Sequence, residues 1–305
     1  MADTFGKVWR QVRQHLPEAP PLLVRSWVEE AYRELSDQAA WGFLRAESEI
    51  IIDAQRSGTV DVTRKSATVT GVGLTFVSGD VGRQFRAGTN QPLYTISSVD
   101  TGANTCELNR IYGGATESAT SATILDAYVA MPADFQRPIA ILDTDNGWQL
   151  HLWISEDELN AWDAQRSSTG TSWALVSRRF NSSDRAEFEL WPYQTSDKNY
   201  PLYYIKRPAD LTDATAFLQP LASRGDILKT GALWKASEWP GTSDFRNPYF
   251  NTVLAEMKKK QFMADIDRLM VLDQELYPTW LETVSWINRM PFAPIDAKFM
   301  QSHDV

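Results

Sequence analysis

The sequence contains little of what redox, metal-binding and membrane-spanning proteins depend on. A single cysteine, Cys106, excludes an internal disulfide, and its alternation with Leu108 favours a buried apolar role over a reactive thiol. The three histidines are too scattered to give a zinc-binding spacing: His15, His151 and His303. No apolar run approaches the ~20 residues that span a bilayer, and residues 1–17 lack the apolar core of a secretory signal. We therefore expect no metal, no cofactor, no membrane partner and a protein made in a cytoplasm.

The charge balance argues against a protein that holds nucleic acid by neutralising phosphates. The formal net charge is -9 and the pI is close to 5.0. Such a balance is still compatible with a protein that lets DNA pass. Hydrophobic residues at 43% and charged residues at 23% are ordinary globular values, which excludes disorder of the whole chain. A length of 305 residues allows two domains or one domain with an insertion.

The strongest helical pattern lies in residues 20–49. Its apolar residues recur at steps of three and four: Val24, Trp27, Val28, Ala31 and Leu35. A proline pair suits the helix start and Gly42 weakens any continuation, so we expect the helix to end near residues 37–40. Three residues at helical spacing predict a shorter helix before it: Val8, Trp9 and Val12.

Between residues 51 and 128 the pattern changes to alternation. Turn-type clusters rich in glycine, asparagine and aspartate separate the alternating runs. The apolar positions are Val60, Val62, Val69, Leu74, Phe76, Phe85, Tyr94, Ile96, Cys106, Leu108 and Ile124. This predicts a small all-β module of about six short strands, placed between helical segments.

The remaining chain mixes both patterns. Strands are predicted at residues 150–154, 173–176, 187–191 and 202–206, and helices at 226–239 and 247–276. A serine N-cap and an acidic first turn at residues 155–158 predict a further short helix.

Together these patterns predict an α+β fold with a helical-bundle core, antiparallel strands and an inserted small all-β barrel or sandwich. The corresponding division has four parts: N-terminal core helices (1–50), the inserted all-β module (51–128), the rest of the core (129–278) and an extended C-terminal docking tail (279–305).

No residue pattern predicts catalysis. Glu187 and Glu189 are the best acid pair, but they alternate with Phe188 and Leu190 on a predicted strand, which places both carboxylates on its solvent face. No nucleophile elbow, phosphate-binding loop or dinucleotide fingerprint is present. We therefore expect that the chain is not an enzyme.

A run of three lysines lies in the last predicted helix: Lys258, Lys259 and Lys260. The run lies opposite most of the apolar residues of that helix. A solvated face is therefore favoured, with contact to phosphates in a DNA channel as the alternative.

The last segment stays apolar after the fold looks complete. Its large apolar residues are Trp280, Leu281, Val284, Trp286, Ile287, Met290, Phe292, Ile295 and Phe299. Pro291 and Pro294 break any long helix there. Because buried aromatic residues dominate interface energies, we interpret this segment as a docking tail for a partner or another subunit.

The chain also resembles two groups of phage proteins. The segment AYRELSDQAAWGFLRAESEI, the later MPADFQRP, the strand pair around FELWP and YYIKRPADL, and the closing helices resemble head-to-tail adaptors of tailed bacteriophages, of the tail tubular A or gatekeeper type. Residues 58–128 resemble a β module inserted in many phage neck and tail proteins, through GTVDVT, TVTG, VGRQFR and YTISSV. Together the two resemblances cover most of residues 20–278.

The adaptor resemblance implies a structural virion protein without catalytic residues. It implies a ring of about twelve copies beneath the portal, which extends the DNA channel and receives a tail or nozzle protein. Double-stranded DNA would pass through without sequence-specific binding. In that family the C-terminal segment reaches into the portal, and the stretch from Trp280 to Phe299 occupies the corresponding place. The implied location is the virion neck, after assembly in the host cytoplasm.

Two other functions fit parts of the sequence. A different tail or baseplate component would share the β module without binding a portal. A carbohydrate- or receptor-binding virion protein would use exposed aromatic residues of the module as a stacking platform: Phe76, Phe85, Tyr94 and Tyr112. Three of these, Phe76, Phe85 and Tyr94, fit the apolar phase of their strands, which favours a core role instead.

Overall fold

A computed structural model of the chain describes residues 3–88, 92–181, 183–242 and 246–276. The α-helices in these ranges are α1 (Phe5–His15), α2 (Pro21–Gln38), α3 (Glu156–Trp162), α4 (Gly225–Glu238) and α5 (Thr252–Leu276). The strands are β1 (Arg45–Ile52), β2 (Arg56–Val62), β3 (Thr68–Gly71), β4 (Gln84–Ala87), β5 (Tyr94–Asp100), β6 (Thr105–Leu108), β7 (Glu117–Leu125), β8 (Tyr128–Ala130), β9 (Phe135–Asp143), β10 (Trp148–Gln149), β11 (His151–Ser155), β12 (Ala174–Phe180), β13 (Ala186–Trp191) and β14 (Lys198–Lys206). Within these ranges the chain forms two compact units: a helical unit made of residues 3–46 and 205–276, and a β unit made of residues 47–204.

The predicted helical-bundle core with a small inserted β module is wrong. Within the described ranges, fourteen strands form three sheets, whereas the helices number five. Residues 128–206 do not decorate a helical core but build most of two four-stranded sheets. The physical reason is that their alternating apolar residues, such as Leu175 and Leu190, are buried within the β unit itself.

Helix α4 is the centre of the helical unit. It is buried on most sides, and α1, α2 and α5 all pack against it. A Cβ atom at Gly231 of α4 would lie 2.7 Å from Cβ of Ala31 in α2 and 2.8 Å from Cε2 of Phe262 in α5. Glycine at this position therefore lets both outer helices approach the central one.

Helix α2 confirms the strongest helical pattern of the sequence. It begins with a proline in its first turn and buries the residues that recur at helical spacing. Just after it, Trp41 and Phe43 are buried and stack with ring centroids 5.8 Å apart. The backbone N–H of Gly42 donates to Oδ2 of Asp273 near the end of α5, at 2.8 Å. Burial raises the pKa of the Asp273 carboxyl.

The β unit contains a closed six-stranded barrel with the strand order β2-β3-β6-β5-β4-β7. Its interior is filled by the alternating apolar residues, all of them buried: Val60, Val62, Val69, Leu74, Phe76, Phe85, Tyr94, Ile96, Cys106, Leu108 and Ile124. The alternation pattern of the sequence is therefore confirmed for these positions.

Two four-stranded sheets complete the β unit, with the orders β1-β14-β9-β10 and β11-β12-β13-β8. In the second sheet β11 pairs parallel with β12, whereas β12, β13 and β8 pair antiparallel, with Phe188 opposite both Ser177 and Val129. Helix α3 leaves this sheet at Ser155, whose Oγ accepts from the backbone N–H of Glu158 at 3.2 Å. The predicted N-cap is confirmed. No helix within the described ranges is long and apolar enough to cross a membrane.

Candidate functional site

The predicted docking tail, Trp280, Leu281, Val284, Trp286, Ile287, Met290, Phe292, Ile295 and Phe299, lies outside the described residues. The structure therefore provides no geometry for it. The candidate surfaces that can be described are the outer faces of two helices in the helical unit and a charged network in the β unit.

The lysine run lies in the first half of α5. Lys258 Nζ donates to Oε1 of Gln261 at 3.1 Å, and Lys260 forms an ion pair with Glu256 at 2.9 Å. The Nζ atom of Lys259 lies 5.1 Å from the ring centroid of Trp234 in α4, close enough for a cation–π contact. Lys259 and Lys260 are exposed, and Lys258 is half-buried. These three ammonium groups make one end of α5 positively charged on its surface.

Apolar residues accompany this charge on the outer side of α5. Val253 is 77% exposed, and Met257 is 59% exposed one turn later. Both lie on the same side as Lys260, because residues four and seven positions apart share a helix face. These two side chains form a short apolar strip on the exposed face of α5.

A groove opens beside the same end of α5. Its volume is about 360 Å³, and it lies between α1, α4 and the start of α5. Its lining residues combine apolar and polar groups: His15, Leu16, Leu233, Ser237, Pro248, Tyr249, Phe250, Asn251, Leu254 and Lys258. Together with Val253 and Met257, the groove extends the accessible apolar surface at this end of the unit.

The outer side of α2 carries the opposite charge. Glu30 and Asp37 are exposed, and Glu29 is half-buried beside them. Among the described residues, none of these three carboxylates has an ion-pair partner. Leu22 lies on the same side and is 79% exposed. Helix α2 thus presents an apolar side chain followed by acidic groups, with the exposed Arg33 between Glu29 and Asp37.

The acidic pair on β13 does not lie on a solvent face, and this prediction is wrong for Glu189. Glu189 is fully buried, whereas the side chain of Glu187 is 16% exposed. The Glu189 carboxylate accepts from Arg166 Nε at 2.7 Å, from Arg178 Nη1 at 2.6 Å and from the Tyr193 hydroxyl at 2.6 Å. The alternating pattern of β13 does not predict that Glu189 is buried, because its two arginine partners come from other segments of the chain.

The charges around Glu189 hold structure in place instead of preparing a reaction. Two guanidinium groups neutralise the buried carboxylate and donate directly to it. Burial, with Glu189 nearby, raises the pKa of Tyr193, so its hydroxyl stays protonated and donates. Arg178 also lies with its guanidinium carbon 4.0 Å from the ring centroid of Tyr128. Both Glu189 oxygens accept from an arginine, whereas the buried Nε of Arg178 has no hydrogen-bond partner in the part of the chain that the structure describes.

A second carboxylate, Asp163, anchors the loop after α3. Burial works to raise its pKa, but hydrogen bonds from Trp191 Nε1 and from the backbone N–H groups of Ser168 and Ser167 lower it to about 2. Trp191 packs with Trp173 at a centroid distance of 5.1 Å, and Trp162 lies beside both and is 48% exposed. No local sequence pattern predicts this cluster, because its members come from three separate segments.

The aromatic residues proposed as a sugar-stacking platform are core residues. Phe76, Phe85, Tyr94 and Tyr112 are at most 2% exposed, and they fill the barrel. Cys106 is buried with them, and burial raises the pKa of its thiol to about 12. The predicted core role of Phe76, Phe85, Tyr94 and Cys106 is therefore confirmed. These buried side chains offer no surface to a ligand.

A polar groove of about 520 Å³ lies within the β unit, beside β1, β8 and the turn before β4. Its central cation, Arg83, is held by Asp126 Oδ1 at 2.8 Å and lies 3.8 Å from Asp80. The ranges that the structure describes contain no cluster of histidine, cysteine or acidic residues that could hold a metal ion. The groove therefore combines open space with an arginine that is already paired.

Comparison with known proteins gives one family. The family model of the SU10 adaptor protein matches residues 99–280, which is more than half of the chain. The match begins inside β5 and runs through the two open sheets and the helices α3, α4 and α5. No curated protein matches the chain. On the extent of the family match, this chain belongs to the SU10 adaptor protein family and is a structural adaptor of a phage virion.

Proposed function

We propose that this chain is a head-to-tail adaptor of the tail tubular A or gatekeeper type, located in the virion neck after assembly in the host cytoplasm. About twelve copies would form a ring beneath the portal. The ring would extend the DNA channel and receive a tail or nozzle protein. The observation that carries this proposal is the adaptor family match over residues 99–280.

Two physical features support the proposal. The net charge of -9 disfavours tight binding of passing double-stranded DNA, which suits a channel through which the duplex slides. The helical unit presents exposed apolar and charged helix faces of the kind that subunits use to associate.

The C-terminal tail from Trp280 to Phe299 is proposed as the segment that docks on the portal or on a neighbouring subunit. Docking of this segment would bury its aromatic side chains against the partner, and buried aromatic residues contribute much of an interface's energy. We also propose a role in the assembled ring for residues 51–128, which contain the barrel. The barrel either lies on the outside of the ring or contacts a tail protein.

Cosedimentation with portal rings from the same genome tests the adaptor role. The full chain is compared with a chain truncated after Pro278 and with a full-length chain carrying Trp280→Ala and Trp286→Ala. We expect the full chain to sediment with the portal, the truncated chain to remain in the supernatant, and the double variant to bind at least about tenfold more weakly, because anchor tryptophans contribute most of an interface's energy.

Each outcome of this experiment decides one point. If no form binds the portal, the adaptor role is overturned, and a tail or baseplate component becomes the better proposal. If all forms bind equally, the adaptor role stands and the tail is not the docking segment. The receptor-binding alternative has lost its barrel platform, because those rings are buried.

A further inference from the structure

The outer faces of α2 and α5 have the same pattern of apolar residues with opposite charges. Leu22 in α2 is followed seven residues later by Glu29, and Val253 in α5 is followed seven residues later by Lys260. Seven residues are about two helical turns, so each pair lies on one face of its helix. An apolar group thus precedes a charged group on both helices, with the charge reversed between them.

The correspondence continues along both helices. Asp37 lies fifteen residues after Leu22, and Arg268 lies fifteen residues after Val253. Asp37 is exposed, and the side chain of Arg268 is 74% exposed. If the two faces met in parallel at this register, Leu22 would meet Val253 and both acid–base pairs would form together.

The remaining positions of this register are compatible with close packing. Ser26 would face Met257, and Arg33 would face the small side chain of Ala264. The exposed carboxylate of Asp267 lies one turn beyond Ala264, within reach of a long arginine side chain. None of the positions placed directly opposite each other carries like charges, as electrostatic complementarity requires of a specific interface.

The orientation of the two helices within one copy fits this contact. Ala31 of α2 and Phe262 of α5 meet at the same glycine of α4, and the later residue Gly42 bonds the later residue Asp273. The segment from α2 to Gly42 and helix α5 therefore run in the same direction. A small rotation between neighbouring copies, as in a ring, keeps α2 of one copy parallel to α5 of the next.

We infer that copies of this chain associate through a heterologous contact, in which the outer face of α2 packs in parallel on the outer face of α5 of the next copy. The pairs are Leu22 with Val253, Glu29 with Lys260 and Asp37 with Arg268. Two different patches form each contact, so association continues from copy to copy, and it closes as a ring when the rotation between copies divides a full turn. This inference rests on the proposed ring and names the surfaces that build it.

Disulfide trapping tests the contact directly. A full-length chain carrying Glu29→Cys and Lys260→Cys is oxidised in solution and on portal rings, and then run on a non-reducing gel. Because the native Cys106 is buried, it does not compete. We expect a ladder of covalent dimers, trimers and larger species, since each copy would be bonded to two neighbours.

Three controls are matched to the geometry. The single variants Glu29→Cys and Lys260→Cys should stay monomeric. The pair Glu29→Cys with Gln274→Cys should also stay monomeric, because Gln274 lies on the same side of α5 but about 21 Å further along the helix. A dimer from either single variant, or no ladder from the Glu29–Lys260 pair, would overturn the proposed contact.

Charge reversal provides a second measurement that needs no oxidation. One variant carries Glu29→Lys and Asp37→Lys, and the other carries Lys260→Glu and Arg268→Glu. Each alone should associate at least about tenfold more weakly than the unmodified chain, because like charges then face each other. Their equimolar mixture should regain association, since every contact then pairs opposite charges in an alternating ring.

The outcomes separate this contact from the adaptor role. If the unmodified chain sediments with portals but the Glu29–Lys260 pair gives no ladder there, the contact is wrong and the adaptor role stands. If the ladder forms in solution but no portal is bound, the contact stands and the adaptor role falls. If the charge-reversed mixture does not recover association, the register is wrong.

Discussion

At the scale of single residues, Glu189 shows how a buried charge is tolerated. Its carboxylate is fully buried and bonded to two arginines and one tyrosine, which together offset the cost of removing it from water. The network links β13 to β12 through Arg178 and to the loop after α3 through Arg166. The hydrogen bonds of Glu189 therefore connect three segments of the chain.

Replacing Glu189 with glutamine should destabilise the β unit by about 3 kcal/mol, because two buried guanidinium groups lose their counter-charge. Urea denaturation followed by tryptophan fluorescence measures the loss. The matched control is Glu187→Gln on the same strand. Glu187 lies 3.5 Å from its partner Arg179, whose side chain is 63% exposed. That change should cost less than about 1 kcal/mol. Equal effects of the two substitutions would contradict the assigned role of Glu189.

At the scale of the elements, Gly231 decides how three helices pack. A glycine inside a helix normally costs about 1 kcal/mol relative to alanine. Here its missing side chain leaves room for Ala31 and Phe262, which would otherwise be under 3 Å from a Cβ atom. The packing of α2 and α5 on α4 therefore depends on this position.

The substitution Gly231→Ala should destabilise the helical unit by about 1–3 kcal/mol, although alanine is the better helix former, because overpacking outweighs propensity. Thermal unfolding followed by circular dichroism at 222 nm measures the change in helix stability. The control Lys229→Ala, a half-buried position in the same helix, should leave the transition nearly unchanged. A stabilised Gly231→Ala variant would show that the helices can move apart without loss.

At the scale of the whole molecule, charge is distributed unevenly. The chain carries a net charge of -9, yet the first half of α5 concentrates three lysines on its surface. If α5 faces a neighbouring copy, Lys260 meets the carboxylate of Glu29. If α5 faced the channel, they would meet DNA phosphates.

The net negative charge of the chain should prevent it from binding duplex DNA. At a salt concentration of ~0.15 M, fluorescence anisotropy with a labelled duplex should show no binding by the full chain, because long-range attraction is screened and the net charge is repulsive. The triple variant Lys258→Glu, Lys259→Glu and Lys260→Glu should behave in the same way. If the unmodified chain bound the duplex and the triple variant did not, the lysines would contact DNA phosphates. That result would contradict the subunit contact.

The sequence by itself determined the local structure of this protein. Steps of three and four in α2, the serine cap of α3 and the alternation of Val60 and Val62 each predicted an element that the fold contains. These patterns are local, since they record which side of a helix or strand avoids water. The buried role of Cys106 followed from the same alternation.

Only the tertiary structure decided which elements share a core and which charges are buried. The strands after residue 128 form sheets of their own, so a helical core with a β insertion was the wrong architecture. The burial of Glu189 depends on Arg166 and Arg178, and the common direction of α2 and α5 depends on contacts at Gly231 and Asp273. These relations join residues far apart in the chain, and no local periodicity encodes which distant segments meet.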